Sequence, residues 1–445
     1  MEQSPKSSEK IISAIVKFIN LKGIIALKDG MLSILPLTII GSIFLVIGQI
    51  PSARFNNWMA GIFGADWTEP FMQVYGGTFE IMGLVACFSI AYNYAKNEGF
   101  EPLPAGILSV VSFIITISSY VISDKGEKVT DVISKGWIGG KGMVAAIIIG
   151  LVVGATYSWF LKKKIVIKLP DSVPEGVANQ FTALIPAAVI MIGSMLIYIL
   201  FKAAANKTFI EWIYTVLQIP LQGLTDSLPG VIGIAFFISF IWWFGVHGQS
   251  IVNGVVTSLL TANAMANQQL FQKTHSLTVS GGAHIVTQQF LDNFIILSGS
   301  GITFGLVIAM LFAAKSEQYR SLGKIAIFPT IFNINEPVTF GFPIVLNPIM
   351  FIPFFATPVV ASLLVYVSIA TGFVHPFSGI MLPWSTPAII SGLLVGGWRA
   401  ALLQIVILIT STLIYFPFFK KQDSITYRKE QELAKQNSKN GIELE

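Results

Sequence analysis

Phe332-Asn333-Ile334-Asn335-Glu336-Pro337-Val338-Thr339-Phe340-Gly341-Phe342-Pro343 sets one carboxylate and two amides inside an otherwise apolar run, flanked by Pro329 and Pro348. Each proline lacks an N–H and clashes with the turn before it, so prolines this dense break a helix. The surrounding chain is far too apolar for a soluble domain: 53% hydrophobic and 11% charged, where a soluble domain is about a quarter charged. Broken backbone at membrane depth is tolerated only where protein buries it or water lines it. An ionisable residue placed there marks a functional site. The plainer role for Glu336 is to cap a broken helix. The expense of burying a charge favours chemistry over capping alone.

Working outward, the 445 residues have a mean hydropathy of +0.72, and apolar runs of about twenty residues recur throughout. The chain reads as an all-α polytopic membrane protein. Spans are predicted near 24–50, 76–96, 104–122, 142–161, 180–203, 229–247, 249–265, 293–313, 349–371 and 398–418. Basic residues cluster in alternate loops, at Lys6 to Lys28, Lys162 to Lys168, Lys315 to Lys324 and Lys420 to Lys429. Lysine and arginine accumulate on the cytoplasmic side, so ten spans with both termini inside the cell fit best. The loop 123–141 mixes four lysines with three acids and orients nothing. That count treats two Pro/Gly-broken segments, near 325–348 and 375–397, as re-entrant hairpins; twelve kinked spans is the alternative. By parity the first hairpin enters from the cytoplasm and the second from outside. Discontinuous helices meeting near the midplane are where transporters typically bind substrate.

The net charge of +5 reads as orientation, without nucleic acid. No cleavable signal peptide is visible at the N-terminus. Cys87, the sole cysteine, reads as a small packing residue. Residues 1–203 read as a scaffold half of five spans, and 229–421 as the site-bearing half. Between them, 204–228 carries Phe209, Ile213, Leu217 and Leu221 on one helical face, as in a helix lying in the interface. The polar segment 422–445 reads as a cytoplasmic tail of little order.

Four polar clusters fall in the second half: Trp242 to Gln249, Asn263 to Asn293, Asn333 to Pro337, and Trp384-Ser385-Thr386. Carboxylate, imidazole, amide and indole together suit a carbohydrate. Carboxylates and amides bind hydroxyls, and tryptophan covers the apolar face of a sugar ring. Of the adjacent Trp242 and Trp243 only one can face a sugar, and Trp243 is chosen. His275, His284 and His375 read as loop or turn residues, and Glu80 as a scaffold group. No metal-ligand cluster, Ser-centred nucleophile motif or paired catalytic acids appear, which argues against a membrane enzyme acting on lipid, and neither metal nor cofactor is expected.

At these residues the chain resembles the membrane (C) subunit of the lactose/cellobiose (diacetylchitobiose) family of the bacterial phosphoenolpyruvate-dependent sugar phosphotransferase system. The resemblance rests on Trp-Phe-Gly-Val-His-Gly at 243–248, Phe-Asn-Ile-Asn-Glu-Pro-Val at 332–338 and Leu-Pro-Trp-Ser-Thr-Pro at 382–387, with Leu27-Lys28-Asp29-Gly30 near the start. It runs from about Ile12 to Phe419. It implies a homodimer in the bacterial cell membrane that imports a β-linked disaccharide. It also implies phosphorylation of the sugar's 6-hydroxyl by a phosphocysteine on a separate cytosolic B subunit. By position, His247 and Glu336 would be the catalytic polar pair, with Asn333, Asn335, Trp384, Thr386 and Trp243 binding the sugar. The chain has no domain of its own to carry a phosphoryl group. The rival reading is a proton-coupled sugar transporter with Glu336 and His247 as the proton relay.

Overall fold

The computed structural model describes residues 17, 20–48, 53–123, 126–167, 169–170, 181–245 and 247–439. The basic residues Lys6, Lys10, Lys125 and Lys168 lie outside the described residues, as does the tail beyond Lys439. Among the described residues the fold is helical apart from one small hairpin. That hairpin pairs Tyr120–Ile122 antiparallel with Lys128–Thr130, Val121 opposite Val129.

Among the described residues, six helices are long and apolar enough to cross a bilayer: Lys22–Leu45, Glu69–Asn97, Gly140–Lys162, Leu184–Ala205, Pro348–Ala370 and Ile390–Gln436. A seventh arises if Phe209–Thr225 and Leu228–Trp243, bent by 76°, count as one span. The expected ten is not reached, for identifiable reasons. Leu103–Ile115 has 13 residues and Phe304–Ala313 has 10. At 1.5 Å per residue neither covers a hydrocarbon core of about 30 Å. Gly248–Thr274 is 27 residues long, but Asn263, Asn267, Gln268 and Gln269 dilute its apolar character.

The chain divides into two compact units. One gathers the chain up to Thr225 with Asn253–Gln269 and Gly379–Met381; the other gathers Asp226–Val252, Leu270–Ser378 and Leu382 onward. In the first unit Met82–Asn97 packs on Met143–Lys162 at glycines. A Cβ on Gly150 would lie 2.9 Å from the Cys87 carbonyl, and one on Gly154 2.7 Å from Tyr94. Close backbone approach at small residues drives helix association where lipid offers no hydrophobic gain. Cys87 is fully buried there, and Ser109 donates to its carbonyl at 3.0 Å.

The segment Phe209–Thr225 differs from a simple amphipathic helix. A π-helical turn at Tyr214–Gln218 shifts its register. Gln218 and Gln222 point inward, where Gln218 donates to the Gly140 carbonyl at 2.8 Å and Gln222 to Asn263 at 2.9 Å. Val216, Leu217, Ile219, Leu221 and Leu224 are left exposed, the side a bilayer would cover.

In the second unit the proline-rich stretch breaks where expected. Glu317–Ile331 ends in a turn at Phe332–Asn335, and Pro337 opens the short helix Glu336–Gly341. Pro329 is accommodated inside the first of these helices. The stretch around 375–397 is not a helical hairpin. It runs without regular structure to Ile389, then enters a helix kinked at Gly397, which has φ +72°. The tail is likewise helical as far as Lys439, against the expectation of little order. Its Asp423 is fully buried and accepts from the backbone N–H groups of Lys315 at 3.0 Å and Ser316 at 3.0 Å. These are orphan donors at the start of Glu317–Ile331, and an anion at a helix N-terminus is stabilising.

Candidate functional site

The site is built from turns rather than from helix faces. The box Trp242 to Gly248 leaves the helix Leu228–Trp243 through Gly245, whose φ of +81° suits a residue without a Cβ. Gly248 then begins the next helix. A Cβ there would sit 2.1 Å from the Ile238 carbonyl, so only glycine fits. His247 is the N-cap of that helix: its Nδ1 accepts from the Ser250 N–H at 3.2 Å, and Ser250 Oγ lies 2.8 Å from the same nitrogen. The Trp242 ring lies 4.8 Å from the imidazole and 6.0 Å from Phe340. Phe340 belongs to the short helix that Glu336 opens. Trp242 thus lies between His247 and the Glu336 segment. The Leu346 N–H donates to the Trp243 carbonyl at 3.0 Å, which ties the same two stretches through backbone.

Glu336 and His247 are both exposed. No hydrogen bond or ion pair joins them among the described residues, but the Glu336 carboxylate acts electrostatically on the His247 ring. An accessible carboxylate beside an accessible imidazole can bind a hydroxyl from two sides and exchange its proton.

The two amides beside Glu336 hold the surrounding loops. Asn333, in the left-handed region at φ +63°, accepts from the Ser298 N–H at 2.6 Å. Its Nδ2 donates to the carbonyls of Trp384 at 2.7 Å and Thr386 at 3.0 Å. Asn335 donates to the Ser300 carbonyl at 2.7 Å. The loop these residues grip is contorted: Ser298, Gly299, Gly301 and Ile302 all have positive φ. Such conformations persist only where surroundings over-determine them, and they cluster at functional sites. A Cβ on Gly299 would lie 2.3 Å from Asn335 Cγ. From the other side Tyr415 donates to the Gly301 carbonyl at 2.8 Å and Ser411 to that of Ile302 at 2.5 Å.

Asn333, Asn335, Trp384 and Thr386 are therefore drawn together. Trp384 is 51% exposed, and the Thr386 hydroxyl donates to the Pro383 carbonyl at 2.7 Å. Trp243 points elsewhere. Its Nε1 donates to the Asn347 carbonyl at 3.3 Å and its ring meets Phe351 edge-on, so the tryptophan against His247 is Trp242. Trp242 Nε1 is buried and makes no hydrogen bond among the described residues.

Three further polar residues brace loops of the second unit. Fully buried Gln404 accepts from the N–H groups of Ile389 at 2.6 Å and Gly392 at 3.0 Å, and donates to the Asn293 carbonyl at 2.7 Å and Ser391 at 2.8 Å. A glutamine in the middle of an apolar span was the available signal. Asp292 accepts from Gln288 at 2.9 Å on a π-helical turn. Asp226 receives the N–H groups of Ile285 and Val286 and pairs with His284 at 2.8 Å. His284 is thus part of an ordered turn. No group of metal-ligating side chains occurs among the described residues.

Residues 28–358 match the family described as "Phosphotransferase system, EIIC". The chain is 37% identical over 413 residues to the PTS system cellobiose-specific EIIC component of Geobacillus stearothermophilus, covering 91% of each. It is 35% identical to the lichenan permease IIC component of Bacillus subtilis strain 168, over 96% of this chain and 94% of that one. Among solved structures it resembles the transporter ChbC, the IIC component from the N,N'-diacetylchitobiose-specific phosphotransferase system. There the TM-score is 0.90 at 33% identity, with 95% of this chain and 99% of that chain covered.

Proposed function

The chain belongs to the phosphotransferase-system EIIC family, and from that premise we propose that it is a multi-pass sugar permease of the cellobiose/lactose type. It imports a β-linked disaccharide and presents the 6-hydroxyl to a phosphorylated cytosolic B subunit. The observation that carries this reading is the accessible Glu336–His247 pair, held between loops that Asn333 and Asn335 lock in place.

Glu336 binds the reacting hydroxyl and takes its proton. The hydroxyl oxygen forms the new O–P bond as the S–P bond of the partner's phosphocysteine breaks, and the electron pair of that bond stays on the thiolate. His247 donates a hydrogen bond to the sugar. Trp384, exposed on its loop, offers an apolar face for a ring. Asn333, Asn335 and Thr386 shape the pocket through the backbone they hold, and Trp242 rather than Trp243 lies against His247. No cofactor takes part. Around this site the chain crosses the membrane several times, with the broken segment near 325–348 re-entrant and both termini in the cytoplasm, and it pairs as a homodimer through its N-terminal half. The proton-coupled alternative is not favoured by the family match.

Binding of a panel of β-disaccharides and monosaccharides to the purified protein, and to Glu336→Ala, tests this. One disaccharide binding well to the wild type, and ~100-fold less tightly to the variant, supports the site. A folded protein that binds no saccharide would defeat it.

A further inference from the structure

The imidazole of His247 can carry its proton on either nitrogen, and the choice decides which chemistry it can do. Its Nδ1 faces the Ser250 backbone N–H at 3.2 Å. A backbone N–H can only donate, so this contact requires a lone pair on Nδ1. The neutral ring then carries its hydrogen on Nε2. Moving the proton to Nδ1 would set one N–H against another and leave an orphan donor in the first turn of a 27-residue helix. The Ser250 hydroxyl, 2.8 Å from the same nitrogen, can turn its own hydrogen toward it. The Trp242 ring packs against the imidazole at 4.8 Å, tilted by 51°. The backbone beneath it cannot slide, because Gly248 already lies against the Ile238 carbonyl. Nε2 makes no hydrogen bond among the described residues, and the side chain is exposed.

We propose that Ser250 is a positioning residue which, through its backbone N–H, fixes His247 as the Nε2-protonated tautomer. His247 is then solely a hydrogen-bond donor to the substrate oxygen, and Glu336 alone receives the proton. The inference rests on the permease reading given above. In the phosphoryl step the two groups do not exchange roles. The hydroxyl proton passes to Glu336 while Nε2–H remains in place, stabilising negative charge as it grows on the attacking oxygen. A histidine held this way is a poor member of a proton relay, because a relay needs both ring nitrogens to gain and lose protons in turn.

The test uses the full chain in detergent with nitrogen-labelled histidine, and NMR to tell protonated from unprotonated ring nitrogens. The His247 signals are those lost in His247→Gln. Nδ1 is expected to be the unprotonated nitrogen in the wild type. Ser250→Ala, which keeps the N–H, is expected to retain this signature. Ser250→Pro removes both N–H and hydroxyl in the first helical turn, where no N–H bond within the helix is lost. It is expected to give a mixture of tautomers. It should also lower kcat for B-subunit-dependent sugar phosphorylation by ~10-fold or more, with KM moved less than about threefold. A wild-type ring protonated on Nδ1 would overturn the proposal, as would a folded Ser250→Pro protein with an unchanged tautomer. Should Ser250→Pro fail to fold, the wild-type and Ser250→Ala spectra still decide it. The spectra need no sugar, so the expected tautomer in a protein that phosphorylates none would sink the permease reading and leave the role of Ser250 standing.

Discussion

Glu336 shows how a residue's chemistry follows from where the backbone breaks. Pro337 starts a new helix, leaving the carboxylate at its first residue and exposed. Glu336→Gln keeps the shape and removes the base. Sugar phosphorylation is expected to fall by ~100-fold or more while the melting temperature stays within a few degrees. Assay with the phosphorylated B subunit, beside a thermal melt, checks both parts. Asn333 acts through structure instead. Asn333→Asp keeps the acceptor for Ser298 but loses both donors to Trp384 and Thr386. Disaccharide affinity should drop by ~10-fold, with a stability loss of ~1–2 kcal/mol, measured by binding and by chemical unfolding. Glu336 was legible in the sequence because a carboxylate amid prolines and apolar residues has few explanations. The amides were legible only as polar groups near the site. Which loops their Nδ2 atoms would meet depends on chain segments 35 to 53 residues away, and local spacing carries no trace of that.

At the scale of elements, long apolar helices were readable from hydropathy, and polar or short ones were not. Pro348–Ala370 lies almost where its apolar run predicts. The polar helix Gly248–Thr274 and the ten-residue Phe304–Ala313 show the limit. Their apolar content suggested spans, but packing sets where each helix ends. A Cβ on Gly305 would lie 2.3 Å from the Thr412 backbone nitrogen, a closeness visible only in three dimensions. Gln404 links the segment after Trp384 to the turn at Asn293 through four hydrogen bonds. Gln404→Leu strands those partners in an apolar interior and should cost ~3 kcal/mol, read from denaturant unfolding. The C-terminal helix makes a similar brace. Asp423→Ala frees the N–H groups of Lys315 and Ser316 and should destabilise the protein by ~2 kcal/mol. A loss below about 0.5 kcal/mol would show that this end of the helix is held by other contacts.

For the molecule as a whole, composition alone decided membrane against soluble, and three short motifs pointed to the family. The division into two compact units was harder to read, because Asn253–Gln269 and Gly379–Met381 group with the N-terminal unit despite their late positions. No sequence window contains that information. What separates this function from proton-coupled transport is the product delivered inside. Purified protein in vesicles, loaded inside with the phosphorylated B subunit and given labelled disaccharide outside, tests it most directly. The expected result is sugar phosphate in the lumen, dependent on the B subunit and indifferent to a pH gradient. Free sugar accumulating under a pH gradient without the B subunit would contradict it.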